Sequence, residues 1–471
     1  MQAQGSTAAP VFGDEIEVHQ GRLRVRNEDA LRTSKMDALV RQAVFGEGQA
    51  KDHAQWMIWE TAQAVGVRPA SIHHLYAARG RGEVKGFTVP AMNVRGMAYD
   101  TARAIFRTAV RMHAGAFILE IARSEIAYTG QRPSEYVTVM LAAALREGFR
   151  GPVFIQGDHF QVNAKKFAAD PTGEVAAVKQ LALEAVSAGF YNIDVDTSTL
   201  VDISLPTLDA QQERNYETAA EIAAYVRSIQ PDGVTISIGG EIGEVGTQNS
   251  TVPELRAFMN GFIASLEKRA AQATGLSKIS VQTGTSHGGI VLPDGGIADV
   301  KLDLEALEAL SKVARESYGM AGAVQHGAST LPESAFDNFP RIETAEIHLA
   351  TNFQNILFEQ IPDALRAKIY AWLDENAKDE RKKGDSDEQF YYKSRKKALG
   401  PFKRELWDLP EDVRERIGKS YDRTFSFLFE QLRIGGTSEA VTRFVAAPVQ
   451  RRRTSGGVAV EAAPDDPDAG E

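Results

Sequence analysis

The segment AFILEIARSEIAYTGQRPSEYVTVMLAAALREGFRGPVFIQG, residues 116–157, decides the fold. It contains a short apolar run (116–122), an amphipathic helical stretch (133–148) and a second apolar run (152–157). Two consecutive strands joined through a helix are expected to pair in parallel. Parallel strands need such a long connection, because a tight turn can join only antiparallel strands. The segment therefore predicts one strand–helix–strand unit.

The same alternation extends in both directions, from residue 86 to residue 350. The predicted strands are FTVPAMN (87–93), AFILEIA (116–122), PVFIQG (152–157), YNIDVD (191–196), GVTISIGG (233–240), ISVQTG (279–284), GAVQH (322–326) and AEIHLA (345–350). Eight strand–helix units are what a (β/α)8 TIM barrel requires. An open doubly wound sheet is the alternative, but no G-x-G-x-x-G motif follows the first strand.

The regions outside the barrel differ from it in pattern. Apolar residues at three- and four-residue spacing predict helices before and after the barrel, whereas the polar, low-complexity end of the chain is typical of disorder. We predict a disordered N-terminus (1–27), a helical extension (28–85), the catalytic barrel (86–375), a C-terminal helical region (376–435) and a disordered tail (436–471).

Composition excludes several classes of protein. The 53 Lys and Arg residues against 63 Asp and Glu give a net charge of −10, which argues against nucleic-acid partners and anionic membranes. The chain has no Cys, so disulfides, a thiol nucleophile and cysteine-bound zinc are excluded. No run approaches 18 apolar residues, and the N-terminus does not resemble a signal peptide, so we expect a cytoplasmic protein.

Polar residues occur at the carboxyl ends of nearly all predicted strands, where the active site of such a barrel gathers. They are Asn93, Asp158, His159, Asp196, Glu241, His287, His326 and His348. A single histidine at a strand end is more often a packing residue, but three histidines and a carboxylate suit Zn²⁺ or another divalent metal. The remaining histidines are expected to be ordinary surface or packing residues: His19, His53, His73, His74 and His113.

From residue 86 to about 433 the chain resembles the zinc-dependent class II fructose-bisphosphate aldolase family. The motifs that carry the resemblance are VPAMNVRG, GDHFQ, VDTS, EIGEVG, TSHGG, QHGAS and FYYKSR. It implies that Asp158 is the catalytic acid/base. It also implies the metal ligands, which are His159, His287 and His326, with Glu241 as an alternative or second-position ligand.

The resemblance also implies the substrate contacts. They are Asn93, Gly288, Gly327, Ser329, Thr351 and Arg395, with Asp196 and Ser198 as further site residues and a monovalent cation as a second ion. The glycines and Ser329 would hold a substrate phosphate, and Arg395 would reach the site of a neighbouring subunit. A homodimer or larger homo-oligomer is therefore expected.

Some positions depart from the family pattern. The last barrel strand carries His348-Leu349-Ala350-Thr351 where the family has N-I-D-T, so His348 is a candidate substrate contact. Asn249 stands where a proton-shuttling carboxylate is usual, and Val291 stands near the position of an expected lysine. The segments LEIARSEIAYTG and SLPTLDAQQERNYETAAEIA are closer to the accessory subunit of tagatose-bisphosphate aldolase.

The leading hypothesis is a metal-dependent aldolase that reversibly cleaves a phosphorylated ketose through a metal-stabilised enediolate. A lysine-based mechanism is disfavoured because no Lys lies within the predicted strands; Lys278 only precedes the sixth. One alternative is a non-catalytic accessory or regulatory subunit of a sugar-bisphosphate aldolase. A metal hydrolase is disfavoured, since residues 87–93 lack the H-x-H motif of such enzymes.

Overall fold

The computed structural model of the protein describes residues 11–19, 21–243, 248–284, 292, 302–452 and 460–467. The strands in these residues are β1 (Ile16–His19), β2 (Arg22–Val25), β3 (Val67–Ala70), β4 (Val89–Asn93), β5 (Ile118–Ala122), β6 (Gly151–Gln161), β7 (Asn192–Asp196), β8 (Ser237–Glu241), β9 (Lys278–Val281), β10 (Ala323–Gln325) and β11 (Glu346–Leu349). Strands β4 to β11 pair in parallel in chain order, and β11 pairs with β4, so the sheet closes. The predicted (β/α)8 TIM barrel is confirmed.

Helices connect the barrel strands and flank the barrel at both ends of the chain. They are α1 (Ser34–Phe45), α2 (Gly48–Ala64), α3 (His73–Gly80), α4 (Ala98–Met112), α5 (Arg123–Thr129), α6 (Pro133–Arg146), α7 (Ala164–Ala169), α8 (Pro171–Ala188), α9 (Leu208–Ile229), α10 (Val252–Arg269), α11 (Leu304–Tyr318), α12 (Asn338–Arg341), α13 (Thr351–Gln360), α14 (Asp363–Asn376), α15 (Asp387–Ser394), α16 (Lys403–Trp407), α17 (Glu411–Gln431) and α18 (Ser438–Phe444). Within the described part of the chain, none of them is long and apolar enough to cross a membrane.

Local sequence signals set the ends of these helices, as α8 illustrates. The Asp170 side chain accepts a hydrogen bond from the Gly173 amide, and Pro171 occupies the first helical position. The helix ends at Gly189, whose φ of 113° favours a residue without a side chain.

A ninth strand, β3, lies inside the region predicted to be a purely helical extension. It pairs in parallel with the first half of β6, because β7 begins only at Asn192 and leaves that half of β6 without a partner on one side. The Asn192 side chain accepts from the Ile72 amide at 2.9 Å and donates to the Ala70 carbonyl at 3.1 Å. These bonds attach β3 and the start of α3 to the end of the barrel where the strands begin.

The N-terminus also contains more structure than predicted. Disorder was expected over residues 1–27, but β1 and β2 form an antiparallel hairpin with Ile16 opposite Val25. Ile16 and Leu23 are buried, so the hairpin has one apolar face that packs on the protein.

The C-terminal region was predicted as helical to residue 435 and disordered beyond it. Helix α18 and the ordered chain after it correct this prediction. Trp59 Nε1 donates to the Gln450 carbonyl at 2.7 Å, and the Arg452 guanidinium lies 3.4 Å from the centre of the Trp59 ring. Arg452 Nη2 also donates to the Ala188 carbonyl at the end of α8 at 2.6 Å. Polar composition alone does not predict these contacts, because the tail packs against side chains of α2 and the end of α8.

Replacing Arg452 by Ala should lower the free energy of unfolding by about 1–2 kcal/mol, because the substitution removes a desolvated cation–π contact and the bonds to the end of α8. Urea unfolding followed by tryptophan fluorescence measures this change. Arg443→Ala is the control, since Arg443 is exposed and lies over its own neighbour Phe444 at 4.8 Å. Equal effects of the two substitutions would show that the tail does not stabilise the fold.

Candidate active site

Strand β6 is irregular where it carries two of the predicted site residues. Its pairing with β7 shifts register between Gly157 and Phe160, and His159 has a φ of +38°. A Cβ on Gly157 would lie 2.4 Å from the Phe160 ring, so this turn of the chain requires glycine. Successive residues of a regular strand face opposite sides. The bulge instead lets His159 contact Asp196 on the adjacent strand β7 and lets Asp158 contact His348 on β11 across the barrel.

Asp196, at the end of β7, fixes the orientation of His159. Its Oδ2 lies 2.9 Å from His159 Nδ1, and its Oδ1 accepts from the Ser198 amide at 3.0 Å and hydroxyl at 2.7 Å. A carboxylate behind an imidazole sets the tautomer and makes the other nitrogen a better ligand. Asp196 and Ser198 thus support His159 from behind.

His159, His326 and Glu241 form a group that could hold a metal ion. One ligand atom of each lies within 4.8 Å of the others. His326 directs Nε2 to the Ser280 hydroxyl at 3.0 Å, and its Nδ1 lies 2.9 Å from His159 Nε2. Two imidazole nitrogens this close can bind one ion when both rings are neutral. The residues present therefore fit Zn²⁺ or a similar divalent ion.

The electrostatic field at this group also favours a cation. Burial alone would lower the pKa of His159, but the carboxylates of Asp158, Glu241 and Asp196 outweigh it and raise that pKa well above its usual value. Burial, followed by the neighbouring Asp196, raises the pKa of Glu241. A divalent cation would relieve this excess of negative charge. His287 and Gly288, also predicted for the site, lie outside the described residues.

Asp158, predicted as the acid/base, is held by both of its oxygens. Oδ1 lies 3.0 Å from His348 Nδ1, and Oδ2 accepts from Asn93 Nδ2 at 3.1 Å. Burial would raise the pKa of Asp158, but His159 and His348 hold it well below its usual value. The carboxyl group is therefore ionised and can accept a proton.

Below Asp158 the barrel interior contains a set of buried charged and polar side chains, which we call the ionic layer: Glu120, Gln156, Asp194, Lys278 and Glu346. Lys278 Nζ donates to Gln156 Oε1 at 2.8 Å, to Asp194 Oδ2 at 3.0 Å and to Glu346. Glu346 also accepts from the Tyr76 hydroxyl of α3. The ionic layer thus links the barrel strands to the helix that lies at their amino-terminal ends.

The position of Lys278 corrects one sequence expectation. Lys278 opens β9 and points into the barrel, whereas we placed it before the strand. Burial would lower its pKa, but Asp194 and Glu346 raise that pKa above the usual value for lysine. A nucleophilic amine must be unprotonated, so these contacts still disfavour a Schiff-base role.

The ionic layer connects to Asp158, at the end of the barrel where the strands finish, through His348. His348 Nε2 lies 2.7 Å from Glu346 Oε1, and Glu120 Oε1 lies 3.2 Å from His348 Nδ1. Burial raises the pKa of Asp194 to about 6 despite Lys278. Burial would also raise the pKa of Glu346, but Lys278 and His348 lower it to about 2.

A comparison with known protein families shows which family this chain belongs to. Residues 80–404 match the family described as Fructose-bisphosphate aldolase class-II. The chain belongs to this family. A comparison with curated proteins finds no match.

The solved structures that resemble this member of the aldolase family are distant from it in sequence. A structure described as a probable tagatose 6 phosphate kinase from Sinorhizobium meliloti 1021 is 18% identical, with a TM-score of 0.51 over 76% of this chain and 98% of that chain. Fructose-bisphosphate aldolase from Campylobacter jejuni is 16% identical, with a TM-score of 0.45 over 76% and 92% of the two chains. The fructuronate-tagaturonate epimerase UxaE from Cohnella laeviribosi is 13% identical, with a TM-score of 0.49 over 93% and 91%. At these identities the likeness shows only the fold.

Several of the substrate-binding residues that the aldolase resemblance implies lie near the carboxyl ends of the barrel strands. Gly327 adopts a φ of 66° directly after His326, and the Ser329 hydroxyl accepts from the Ala350 amide at 2.6 Å. Thr351 begins α13 immediately after β11. The loop after β10 and the start of α13 therefore lie side by side.

Arg395 occupies a different environment from the one that its predicted role needs. Its guanidinium lies 4.4 Å from the Tyr392 ring and 5.1 Å from the Phe358 ring, and it donates to Asn355 of its own chain. It is buried, and burial lowers its pKa. The role in a neighbouring subunit's site stays a prediction, and it would require Arg395 to leave these contacts.

Sequence reasoning missed the ionic layer and Glu125. A signal for the layer is present in the sequence, since Glu120, Asp194 and Glu346 are acidic residues inside predicted strands. Glu346 and His348 are two residues apart and therefore share the inner face of β11. No comparable signal marks Glu125, which accepts from Asn93 Nδ2 at 2.8 Å from the start of α5.

Proposed function

We propose that the protein is a metal-dependent aldolase that reversibly cleaves a phosphorylated ketose. The observation that supports this most is the convergence of His159, His326 and Glu241 beside an ionised Asp158 that Asn93 and His348 hold in place. The first group suits a divalent ion, and the second suits a general base. Aldol cleavage needs both.

The roles of the chain's own residues follow from this geometry. Asp158 accepts the proton of the substrate hydroxyl on the aldehyde side of the breaking carbon–carbon bond. The electron pair of the breaking carbon–carbon bond moves to the ketone half of the substrate. An ion held by His159, His326 and Glu241 supplies Lewis acidity to that half when it is bound. Gly327 and Ser329 would contact the phosphate of the ketone half, while Asn93 and His348 keep the base oriented.

Metal removal tests the proposal. Purified protein should contain about one divalent ion per chain, and a chelator should abolish retro-aldol cleavage in a screen of phosphorylated and free ketoses, because the ketone half then loses its Lewis acid. Adding Zn²⁺ back should restore cleavage. Elemental analysis and product identification by mass spectrometry are the measurements.

Matched histidine variants sharpen the test. His326→Gln should lose the ion and the activity together. His73→Gln should keep both, since His73 lies on α3 and contacts the Ser277 hydroxyl at 2.7 Å. Cleavage by metal-free protein would refute the mechanism.

A second candidate is a non-catalytic accessory subunit of a sugar-bisphosphate aldolase. The altered end of β11 favours it, because His348 and Ala350 replace two substrate-gripping residues of the family pattern. Metal-loaded protein that cleaves no ketose would favour this candidate. A homodimer or larger assembly in the cytoplasm also stays a prediction, which size-exclusion chromatography with light scattering tests for the assembly.

A further inference from the structure

The C-terminal segment of residues 460–467, which we call the C-terminal strap, packs against α8 and against the chain that follows β5 and β6. Its sequence is VEAAPDDP, in which Ala463 and Asp466 each precede a proline. The position before proline favours an extended backbone. These two residues are also the ones that the strap buries, at 5% and 1% exposure. None of the roles described above uses the strap.

Hydrogen bonds hold the middle of the strap independently of Asp466. The Ala463 amide donates to Glu184 Oε2 of α8 at 2.9 Å. Arg132, directly before α6, donates to the Ala463 carbonyl at 3.3 Å and to Asp465 Oδ1 at 2.8 Å. A substitution at Asp466 therefore leaves this part of the strap in place.

Asp466 brings a carboxylate to two cations near the carboxyl ends of β5 and β6. Its Oδ2 lies 3.3 Å from Arg123 Nη2 and 3.0 Å from Lys166 Nζ. Neither oxygen of Asp466 accepts a hydrogen bond from the described residues, so the attraction is one of charge. The Arg123 side chain is 3% exposed, whereas that of Lys166 is 50% exposed. Because charges interact more strongly away from water, Arg123 is the partner that Asp466 holds most firmly.

The guanidinium of Arg123 joins the C-terminal strap to the barrel. Its Nη2 faces Asp466, while its Nη1 donates to Glu174 Oε1 at 2.6 Å and to the Gln161 carbonyl at 2.7 Å. Glu174 also accepts from the Asn163 amide at 2.9 Å. A planar fork that is held at both nitrogens has one orientation, whereas a fork held only at Nη1 can turn about that nitrogen. Asp466 therefore fixes the bond from Arg123 to the end of β6.

Further contacts continue from the end of β6 to the metal-holding group. The Gln161 side chain donates to Asp196 Oδ2 at 2.6 Å, and the same oxygen lies 2.9 Å from His159 Nδ1. The carboxylate that orients His159 is thus held by Gln161, whose carbonyl Arg123 binds. Partners behind a ligand imidazole affect how tightly the ligand holds an ion.

We propose that Asp466 is a positioning residue for the metal site. It fixes Arg123, and Arg123 fixes the end of β6, where Gln161 holds the carboxylate behind His159. The protein therefore binds its divalent ion more tightly when the C-terminal strap is docked. This inference rests on the proposed function and deepens it, because it adds a part of the chain far from the barrel strands to the support of the metal-holding group.

The Zn²⁺ affinity of Asp466→Asn, measured by competition with a chromophoric chelator, tests the proposal. The dissociation constant should rise by about 3- to 10-fold, less than the roughly 10- to 100-fold that follows loss of a direct partner of a ligand. Asp465→Asn is the matched control, because it removes the same charge from a residue that is 63% exposed and contacts Arg132 instead. The control should bind Zn²⁺ as the wild type does. Equal affinities of wild type and Asp466→Asn would overturn the positioning role.

A double variant distinguishes positioning from the loss of a negative charge near the ion. Gln161→Leu removes the amide that contacts Asp196 and so interrupts the contacts between the C-terminal strap and His159. In that background Asp466→Asn should have no further effect on Zn²⁺ affinity, because residues that act through one set of contacts are not additive. If the loss persists at full size, Asp466 acts through space by its charge and the positioning role is wrong.

Hydrogen exchange separates failure of this inference from failure of the proposed function, because it needs neither metal nor turnover. In metal-free protein, Asp466→Asn should speed amide exchange in residues 158–163, where the Val162 amide donates to the Asp196 carbonyl at 2.8 Å. Asp465→Asn should leave this exchange unchanged. Exchange that Asp466→Asn does not alter would refute the role of the C-terminal strap even in an active aldolase. Faster exchange and weaker Zn²⁺ binding in a protein that cleaves no ketose would refute only the aldolase function.

Discussion

Replacing Asp158 by Asn should lower kcat by about 10²- to 10⁴-fold, the range that a positioned general base contributes, while the protein keeps its metal. The amide has the same shape as the carboxylate but cannot accept the hydroxyl proton. Asp158 also forms a possible ligand group with His326 and His348. If the ion is held by His159, Glu241 and His326, as we propose, it should remain. Single-turnover kinetics and elemental analysis measure the two quantities separately.

Asp202→Asn is the control for this prediction. Asp202 is half-buried in the loop before α9, where its carboxylate accepts from the Ser204 hydroxyl at 2.6 Å. The control should retain full activity and metal. If Asp158→Asn loses the ion, Asp158 is a ligand and the assignment of roles is wrong.

Replacing Lys278 by Met should lower the free energy of unfolding by about 3–5 kcal/mol, the typical cost of removing one partner from a buried ion pair. Lys278 is 1% exposed and donates to Asp194 and Glu346. Methionine fills a similar volume, but it leaves two buried carboxyl groups without their cation. Urea unfolding at neutral pH measures the loss.

Two comparisons make the Lys278 prediction specific. Lys179→Met should cost less than about 1 kcal/mol, because its pair with Glu221 is near the surface. The double variant Lys278→Met/Glu346→Gln should be more stable than Lys278→Met, because one of the uncompensated charges is removed. If the double variant is the less stable, the ionic layer is not held together by charge.

The stability of the Lys278→Met variant should also depend on pH in a distinctive way. In the wild type, the pKa of Glu346 is lowered to about 2, so its contribution to stability is complete above its ordinary value and is lost as pH falls toward 2. Without Lys278 that pKa rises, and the folded variant gains stability from protonation as pH decreases. The stability difference between wild type and variant should therefore narrow between pH 6 and pH 3.

The strands of the barrel could be predicted because each is a short apolar run bounded by turns and helices. The match between predicted run 116–122 and strand Ile118–Ala122 is typical. Site residues at strand ends could be predicted for the same reason, since a parallel barrel gathers the carboxyl ends of its strands. The structure brings His159, His326 and Glu241 together as this rule requires.

Features that depend on long-range contacts could not be predicted in this way. Strand β3 has the sequence VRPA, too short and polar to indicate a strand, and it forms because half of β6 lacks a neighbour. The bulge at His159 has no pattern that distinguishes it from a regular strand. The tail after residue 444 is ordered by Trp56 and Trp59, whose indole groups donate to the Arg452 and Gln450 carbonyls at 3.1 Å and 2.7 Å.

The distribution of charge in the ionic layer has a consequence for how the barrel assembles. Glu120 and Asp194 belong to the first four barrel strands, whereas Lys278 belongs to the last four. A fragment that ends after β7 would enclose carboxylates with no ammonium group from the layer to compensate them. We therefore expect a fragment that ends after β7 to be less stable at neutral pH than the same strands are in the complete barrel.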